Sequence, residues 1–468
     1  MNFQILQIKY KQNNFEYNYN NIKSQSINNN ADLIILPEFN TDSGMEFDFK
    51  YQESKEKFYK DLCEYFSDKN VLIGTKLIQN GELFDIKNIT FNVADKTIYV
   101  SDEYKENIEC DLYVLAKNRY YAMNTIHDFI ENIVCSNTFV HINPIMMDEE
   151  KIYAGQSFIK SRHNSLLRIY PFLEEKSETI NIYDDNVVNT NDISTIEEIF
   201  KATTFSIKEY CENCGFKEVV LGLSGGIDSA LVATLATNAI GKENVYAVML
   251  PSKYSSEGSI KDSEKLVSKL GINVETISIS PLFETFMTSV AKENKMDLAE
   301  ENLQSRLRGL ILMFNSNRYN RLLLSTGNKS EVACGYGTLY GDMCGGLNPI
   351  ADLTKTKVYE LSNWINRNGE IIPKEIIEKA PSAELHPNQK DSDSLPEYEI
   401  LDKIIIDYIE NQISYEELLT KYDKSIVDKT LKLIYRAQFK RNQACLGIRL
   451  TEKAFCSNVK LPLMQKIY

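Results

Sequence analysis

Residues 221–229 read LGLSGGIDS. The apolar residues Val219, Val220 and Leu221 predict a buried strand that runs into this stretch, and ALVATLA over 230–236 predicts a helix that leaves it. A strand that ends in Ser-Gly-Gly and opens into a helix N-terminus is an anion-binding device. The glycines let backbone N–H groups approach phosphate oxygens, and the helix dipole favours negative charge there. No Lys-Ser or Lys-Thr follows the glycines, so the run is not a Walker A loop. Asp228 stands instead where Mg²⁺ on a pyrophosphate needs a carboxylate oxygen.

Around this loop the chain alternates strands and helices. Strands are expected at 218–223, 244–250, 274–279 and 321–326, with helices at 228–240, 259–270 and 298–315. Ser194 with Glu197 three residues on reads as a capping box that opens an earlier helix. Strands joined by helices imply a parallel sheet with right-handed crossovers, whose ligands bind at the carboxyl ends of the strands. The loops at Ser224, Met249 and Ser325 then converge on one crevice. Upstream, EEKSETINIYDDNVVNTND (174–192) is polar and acidic without an apolar period, and residues 176–192 read as a linker. It separates a first α/β domain, 1–175, with strands expected at 3–8, 33–36, 71–74 and 139–142, from a second, 193–468.

The chain is 43% hydrophobic and 25% charged, ordinary for a globular protein with two or three cores. Its net charge of −14 argues against non-specific nucleic-acid binding. The start, MNFQILQIKYKQNN, lacks the apolar centre of a signal peptide, and no run is long enough to span a bilayer, so no membrane role and a cytoplasmic location are expected. Nine cysteines form no paired framework. Cys211 and Cys214 make a lone C-x-x-C in a chain with four histidines, which reads as reduced thiols rather than a zinc site.

A second informative block, LLSTGNKSE, ends at Glu331. Thr326 is placed to hydrogen-bond a nucleotide, and Glu331 offers a second carboxylate for a metal. The S-G-G-x-D-S run resembles the pyrophosphate loop of the N-type ATP pyrophosphatases, which split ATP between its α and β phosphates. Five runs together resemble the NAD synthetase family: LGLSGGIDSALVATLA; MLPSKYSSEGSIKDSEKL (249–266); ENLQSRLRG (301–309); STGNKSEVACGYGTLYGDMCGGLNPIADLTKTKVYEL (325–361); and KAPSAELHPNQKDSDSLPEYEILD (379–402). The resemblance covers 191–468. It implies a Rossmann-like parallel sheet of the adenine nucleotide α-hydrolase-like class, preceded by a nitrilase-like α/β domain as in the longer, glutamine-dependent branch.

The resemblance further implies the chemistry. The carboxylate of deamido-NAD attacks the α-phosphate of ATP, and ammonia then displaces AMP from the adenylate. Gly222, Leu223, Ser224, Gly225, Gly226, Ile227, Asp228 and Ser229 would hold ATP, with Thr326 and Lys355. Asp228 and Glu331 would hold Mg²⁺. Asn302, Glu331, Asp342 and Lys440 would contact deamido-NAD, and Ser382 would sit on a mobile loop over ATP. Lys253 stands where the family often has Arg, which keeps the charge and loses the bidentate fork. At least a homodimer is implied.

The first domain resembles the nitrilase-type glutaminase in outline. ADLIILPE delivers Glu38 as the family's catalytic glutamate, and ECDLYVL (109–115) and TFVHINP (138–144) match later strands. Such amide hydrolysis needs a Glu base, a Lys for the oxyanion and a Cys nucleophile. The stretch matching the nucleophile is TIYVSDEY (97–104), with Val100 at the Cys position, and the segment that brings the Lys is missing between Gly74 and Val100. Cys110 reads as a structural thiol. The expectation is a degenerate glutaminase domain with a vestigial Glu38, and an enzyme using free ammonia or ammonia from a separate glutaminase. A working glutamine-dependent enzyme with a rearranged triad is the alternative.

Overall fold

The computed structural model describes residues 1–26, 30–39, 48–188, 193–291, 297–382, 384–386 and 389–463. It divides into two compact units, Met1–Glu198 and Ile199–Tyr468.

The first unit holds two six-stranded sheets. In one, Asn2–Gln7 lies parallel to Leu33–Leu36, which lies parallel to Val71–Ile73. In the other, Lys96–Ser101, Leu112–Leu115 and Thr138–His141 run parallel. Phe3, Ile5, Leu33, Ile35 and Leu72 of the first sheet pack with Ile98, Val100, Leu112, Val114 and Val140 of the second. The outer faces are covered by helices, through Ile22, Phe58 and Leu62 on one side and Ile126 and Ile130 on the other. A sheet pair buried on both faces needs nearly continuous apolar strands, which is how LIIL and LYVL read.

The expected linker needs correction. Lys176–Asn181 is an edge strand, antiparallel to Asn2–Gln7. An edge strand with one covered face needs few apolar residues, and Ile180 alone in this strand is buried. Its polar partners are specific: Arg168 pairs with Glu178 and with Asp184. Residues 189–192 of the expected linker lie outside the described residues.

The second unit carries a six-stranded, all-parallel sheet. Numbered along the chain, Val219–Gly222, Val245–Met249, Asn273–Thr276, Leu322–Leu324, Leu347–Asn348 and Leu446–Gly447 lie in the spatial order 3-2-1-4-5-6. The order reverses between Val219–Gly222 and Leu322–Leu324, and this switch point leaves an open crevice at the strand ends. The four expected strands and the helices Ile227–Ile240, Glu257–Leu270 and Leu298–Tyr319 are present within a few residues of their expected bounds. The fifth and sixth strands are two residues each, too short to show a period.

One buried cation ties the far end of the chain to the centre of this sheet. Lys329 is fully buried and pairs with Asp352 at 2.8 Å and Glu410 at 2.6 Å. Its Nζ also donates to the Thr451 hydroxyl, and Asp352 accepts the N–H groups of Leu450 and Thr451. Burial alone would push Lys329 down, but Asp352 and Glu410 outweigh it and hold the ammonium above its usual range.

Candidate active site

The Ser-Gly-Gly loop is shaped by its own serines. Gly226 is the N-cap of Ile227–Ile240 and receives no side-chain cap, so the first N–H groups of that helix stay available to an anion. The Ser229 hydroxyl donates to Gly226 O at 3.0 Å and accepts Ser224 N–H at 3.3 Å, folding the loop back on the helix. Gly225 has φ +78°, and a Cβ there would meet Ser259 O at 2.5 Å. Any side chain at 225 would therefore force apart the loop and the helix Glu257–Leu270.

The second element starts at the neighbouring strand end. Asn328 caps the helix Lys329–Cys334 and forms a capping box with Glu331. The same Asn328 donates from Nδ2 to Asp228 Oδ1 at 2.9 Å. Lys355, the first residue of the helix Lys355–Ile365, reaches between the two carboxylates. It pairs with Asp228 Oδ2 at 2.5 Å and with Glu331 Oε1 at 3.4 Å. Both groups are withdrawn from solvent, with the Lys355 side chain 3% and the Glu331 side chain 18% exposed.

A third carboxylate adds to the charge. Asp391 is buried and accepts the hydroxyls of Tyr336 at 3.1 Å and Tyr398 at 2.8 Å. Burial first, and then the Asp228 charge, push the Glu331 carboxyl up to about 8. Burial alone would lower Lys355, but Asp228 and Glu331 outweigh it and hold the ammonium well above its usual range. One ammonium thus faces three carboxylates. The donor set fits a hard divalent cation: two carboxylates with surplus negative charge, leaving the other positions to phosphate oxygens and water. Among the described residues, no group of three or more His, Cys, Asp or Glu side chains converges on one point as a dedicated metal cage.

These groups line a cavity of about 520 Å³. Of the residues singled out in the sequence, Gly222, Leu223, Ser224, Gly226, Ile227, Asp228, Ser229, Asn302, Thr326, Glu331, Asp342, Lys355, Ser382 and Lys440 all line it. Gly225 stands behind the loop, and Glu38 and Lys253 are not on this wall. Asn302, Asp342 and Lys440 meet on one loop. Thr338 donates its hydroxyl to Asn302 and its N–H to Asp342, both at 2.8 Å. Lys440 donates to Gly335 O and Gly337 O. Burial holds the Lys440 ammonium below its usual range.

Sequence reasoning missed Arg308 and Asp391. Arg308 lines the cavity, with Nε on Leu250 O at 3.0 Å, and burial lowers its guanidinium. The helical spacing of Asn302, Ser305 and Arg308 along one face was the available signal.

In the first unit, Glu38 follows the strand Leu33–Leu36, and a Cβ at Gly74 (φ +57°) would meet the Glu38 Cβ at 2.4 Å. Val100 is fully buried in the inter-sheet core. Burial pushes the Cys110 thiol up to about 11, and it also raises those of Cys63 and Cys135.

The Glu331 environment predicts an inverted pH response. A carboxyl near 8 in the folded protein and near its usual value when unfolded keeps its proton longer in the folded state. Its contribution to stability therefore falls as pH rises from about 4.5 to about 8. In protein stripped of nucleotide and divalent metal, Glu331→Gln gains melting temperature over wild type as pH rises through that window, and the gain levels off above it. A gain that is flat from pH 5 to 8 in thermal denaturation would show Glu331 already ionised at pH 5.

Residues 199–444 match the NAD synthase family model. A glutamine-dependent NAD(+) synthetase from Synechocystis sp. is 36% identical over 425 residues, 86% of this chain and 75% of that protein. One from Aquifex aeolicus is 45% identical over 276 residues, but this chain spans about half (49%) of its length. Among solved structures, glutamine-dependent NAD+ synthetase from Acinetobacter baumannii in complex with ADP aligns over 99% of this chain and 98% of its own, with 27% identity and a TM-score of 0.74. A parallel sheet with this strand order, a Ser-Gly-Gly loop at its switch point and a matching family model together place the chain in the NAD synthase family.

Proposed function

We propose that this chain amidates deamido-NAD to NAD at the expense of ATP, and that it takes its nitrogen from ammonia. The observation that carries the first part is the meeting of Asp228, Glu331 and Lys355 beside the Ser-Gly-Gly loop. In the first step a carboxylate oxygen of deamido-NAD bonds to the α-phosphorus of ATP. The bond from that phosphorus to the bridging oxygen breaks, and pyrophosphate leaves. In the second step ammonia bonds to the activated carbonyl carbon, a proton is lost, and AMP leaves.

The loop N–H groups and the Ile227 helix start receive the phosphates. Asp228 and Glu331 are the residues that hold Mg²⁺, which when bound offsets charge on the leaving pyrophosphate. Lys355, held charged by its neighbours, adds a fixed cation in a cavity where water screens little. Asn302, Asp342 and Lys440 shape the wall assigned to deamido-NAD, and Thr326 and Ser382 the wall assigned to ATP. Asp228→Asn lowers pyrophosphate release with ATP and deamido-NAD present by about a hundredfold or more, the scale of losing one electrostatic group in such a site. Release at the wild-type rate would remove Asp228 from the reaction.

The nitrogen source rests on Val100 and on the thiols. A valine cannot form an acyl intermediate, and a nucleophilic cysteine needs a depressed pKa, the opposite of the shifts at Cys63, Cys110 and Cys135. The relatives named above are described as glutamine-dependent; this chain departs from that pattern at its first unit. Steady-state NAD formation with ammonium chloride exceeds that with glutamine at equal concentration, and Cys110→Ala changes neither. Glutamine-driven turnover abolished by Cys110→Ala would restore a rearranged glutaminase.

We also infer that two copies associate through the helices Ser280–Val290 and Leu298–Tyr319. The first buries none of its residues, and Leu282, Phe286, Val290, Leu310 and Phe314 are all exposed. Such a contiguous apolar face suits a self-complementary interface. Leu310→Glu with Phe314→Glu gives a monomer in sedimentation velocity at micromolar protein; a wild type already monomeric there would overturn the assignment. Among the described residues no helix is long and apolar enough to cross a membrane.

A further inference from the structure

The segment that carries Ser382 is fastened by Glu384, which lines the same cavity and has no part in the steps proposed above. Glu384 turns its carboxylate onto the start of the helix Glu257–Leu270. Oε1 accepts the Ser256 hydroxyl at 3.0 Å and the Ser259 hydroxyl at 2.6 Å, and Oε2 accepts Ser256 N–H at 3.3 Å. Lys379, from the near end of the same segment, pairs with Oε1 at 2.9 Å and also donates to the Ser259 hydroxyl. One N–H at a helix start, two hydroxyls and an ammonium are the donors that protein structures present to a bound anion, here filled from within the chain. Burial alone would push the Glu384 carboxyl up; the bonds from Ser259, Lys379 and Ser256 outweigh it and hold it below its usual range.

This contact reaches the site from both sides. Ser259 is the residue whose carbonyl Gly225 packs against, so the helix start that receives Glu384 also backs the Ser-Gly-Gly loop. On the other side, the Glu384 N–H donates to the Ser382 hydroxyl at 3.2 Å, and that hydroxyl donates to Gln389 O at 2.6 Å. Leu385 O accepts Gln304 Nε2, which fixes the next residue to the helix Leu298–Tyr319. Glu384 adopts φ +48°, uncommon outside glycine. Its backbone thus turns the carboxylate one way and the N–H toward Ser382.

We propose that Glu384 is a positioning residue: its carboxylate docks the Ser382 segment on the Ser256–Ser259–Lys379 donors and so holds the Ser382 hydroxyl at the mouth of the nucleotide cavity. This rests on the reading of Ser382 as an ATP-contacting group. The docked carboxylate makes the segment's position depend on a charge pair rather than on apolar packing, and it links that position to the helix behind the phosphate loop.

The test pairs a docking readout with a kinetic one, on the full chain. In Glu384→Gln, and independently in Lys379→Met, hydrogen–deuterium exchange of the peptide spanning 379–391 becomes faster while the melting temperature stays near wild type. The same variants lose about tenfold in kcat/KM for ATP, the scale of a charge-assisted hydrogen bond, and Glu384→Asp recovers part of the loss. In a Ser382→Ala background, Glu384→Gln costs nothing further, because it acts through that hydroxyl. Unchanged exchange in both variants overturns the docking role. Faster exchange with the full tenfold loss still present in the Ser382→Ala background overturns the positioning role. Wild-type kinetics in Ser382→Ala alone overturns the reading of Ser382, and the positioning role with it, whatever the exchange shows.

Discussion

The second unit is organised around one ammonium placed among carboxylates. Lys355 reaches Asp228 on the helix that follows the first strand and Glu331 on the helix that follows the fourth. It can do so because the strand order reverses between those two strands and leaves both loop ends facing the same gap. Burying three carboxylates against one cation is unfavourable in isolation, since each charge loses water and only one pair is neutralised. The fold tolerates it through surrounding donors: Asn328 on Asp228, and Tyr336 and Tyr398 on Asp391.

Gly225 and Gly74 each allow an approach that a Cβ would block. Gly225 lets a phosphate loop lie against the helix that also receives Glu384. Gly74 lets the turn after a core strand pass Glu38 in the first unit. In the same unit Val100, expected from the sequence at the nucleophile position, is packed into the core between the sheets. Glu38 thus sits at a turn set by backbone packing against Gly74, while Val100 belongs to the apolar interior.

Much of this was legible in residue order. The Ser-Gly-Gly run lay between an expected apolar strand and an alanine-rich helix, both present, and Glu331 stood out as a second carboxylate, to which the structure adds its capping box with Asn328. What the sequence concealed has physical causes. Lys176–Asn181 has a linker-like sequence because an edge strand buries little. The strands Leu347–Asn348 and Leu446–Gly447 are too short for any period. Asp391 carries no local signature, since its partners Tyr336 and Tyr398 come from separate elements. Glu384 reads as an ordinary surface acid until the helix start it serves is placed beside it.

The Lys329 cluster has a consequence for how the chain matures. Lys329 immediately follows the residue that caps the Glu331 helix, yet its partners lie at Asp352, Glu410 and Thr451. Contacts so distant along the chain close late, after long stretches have been ordered. During synthesis the helix bearing Glu331 would emerge with a bare lysine beneath it, which meets Asp352 first and waits for Glu410 and Thr451 before the cluster closes. The helix that carries Glu331 is thus among the last parts of this unit to become rigid, and a chain that ends between Lys440 and Thr451 would hold the cavity-lining residues without the hydroxyl that closes the cluster beneath them.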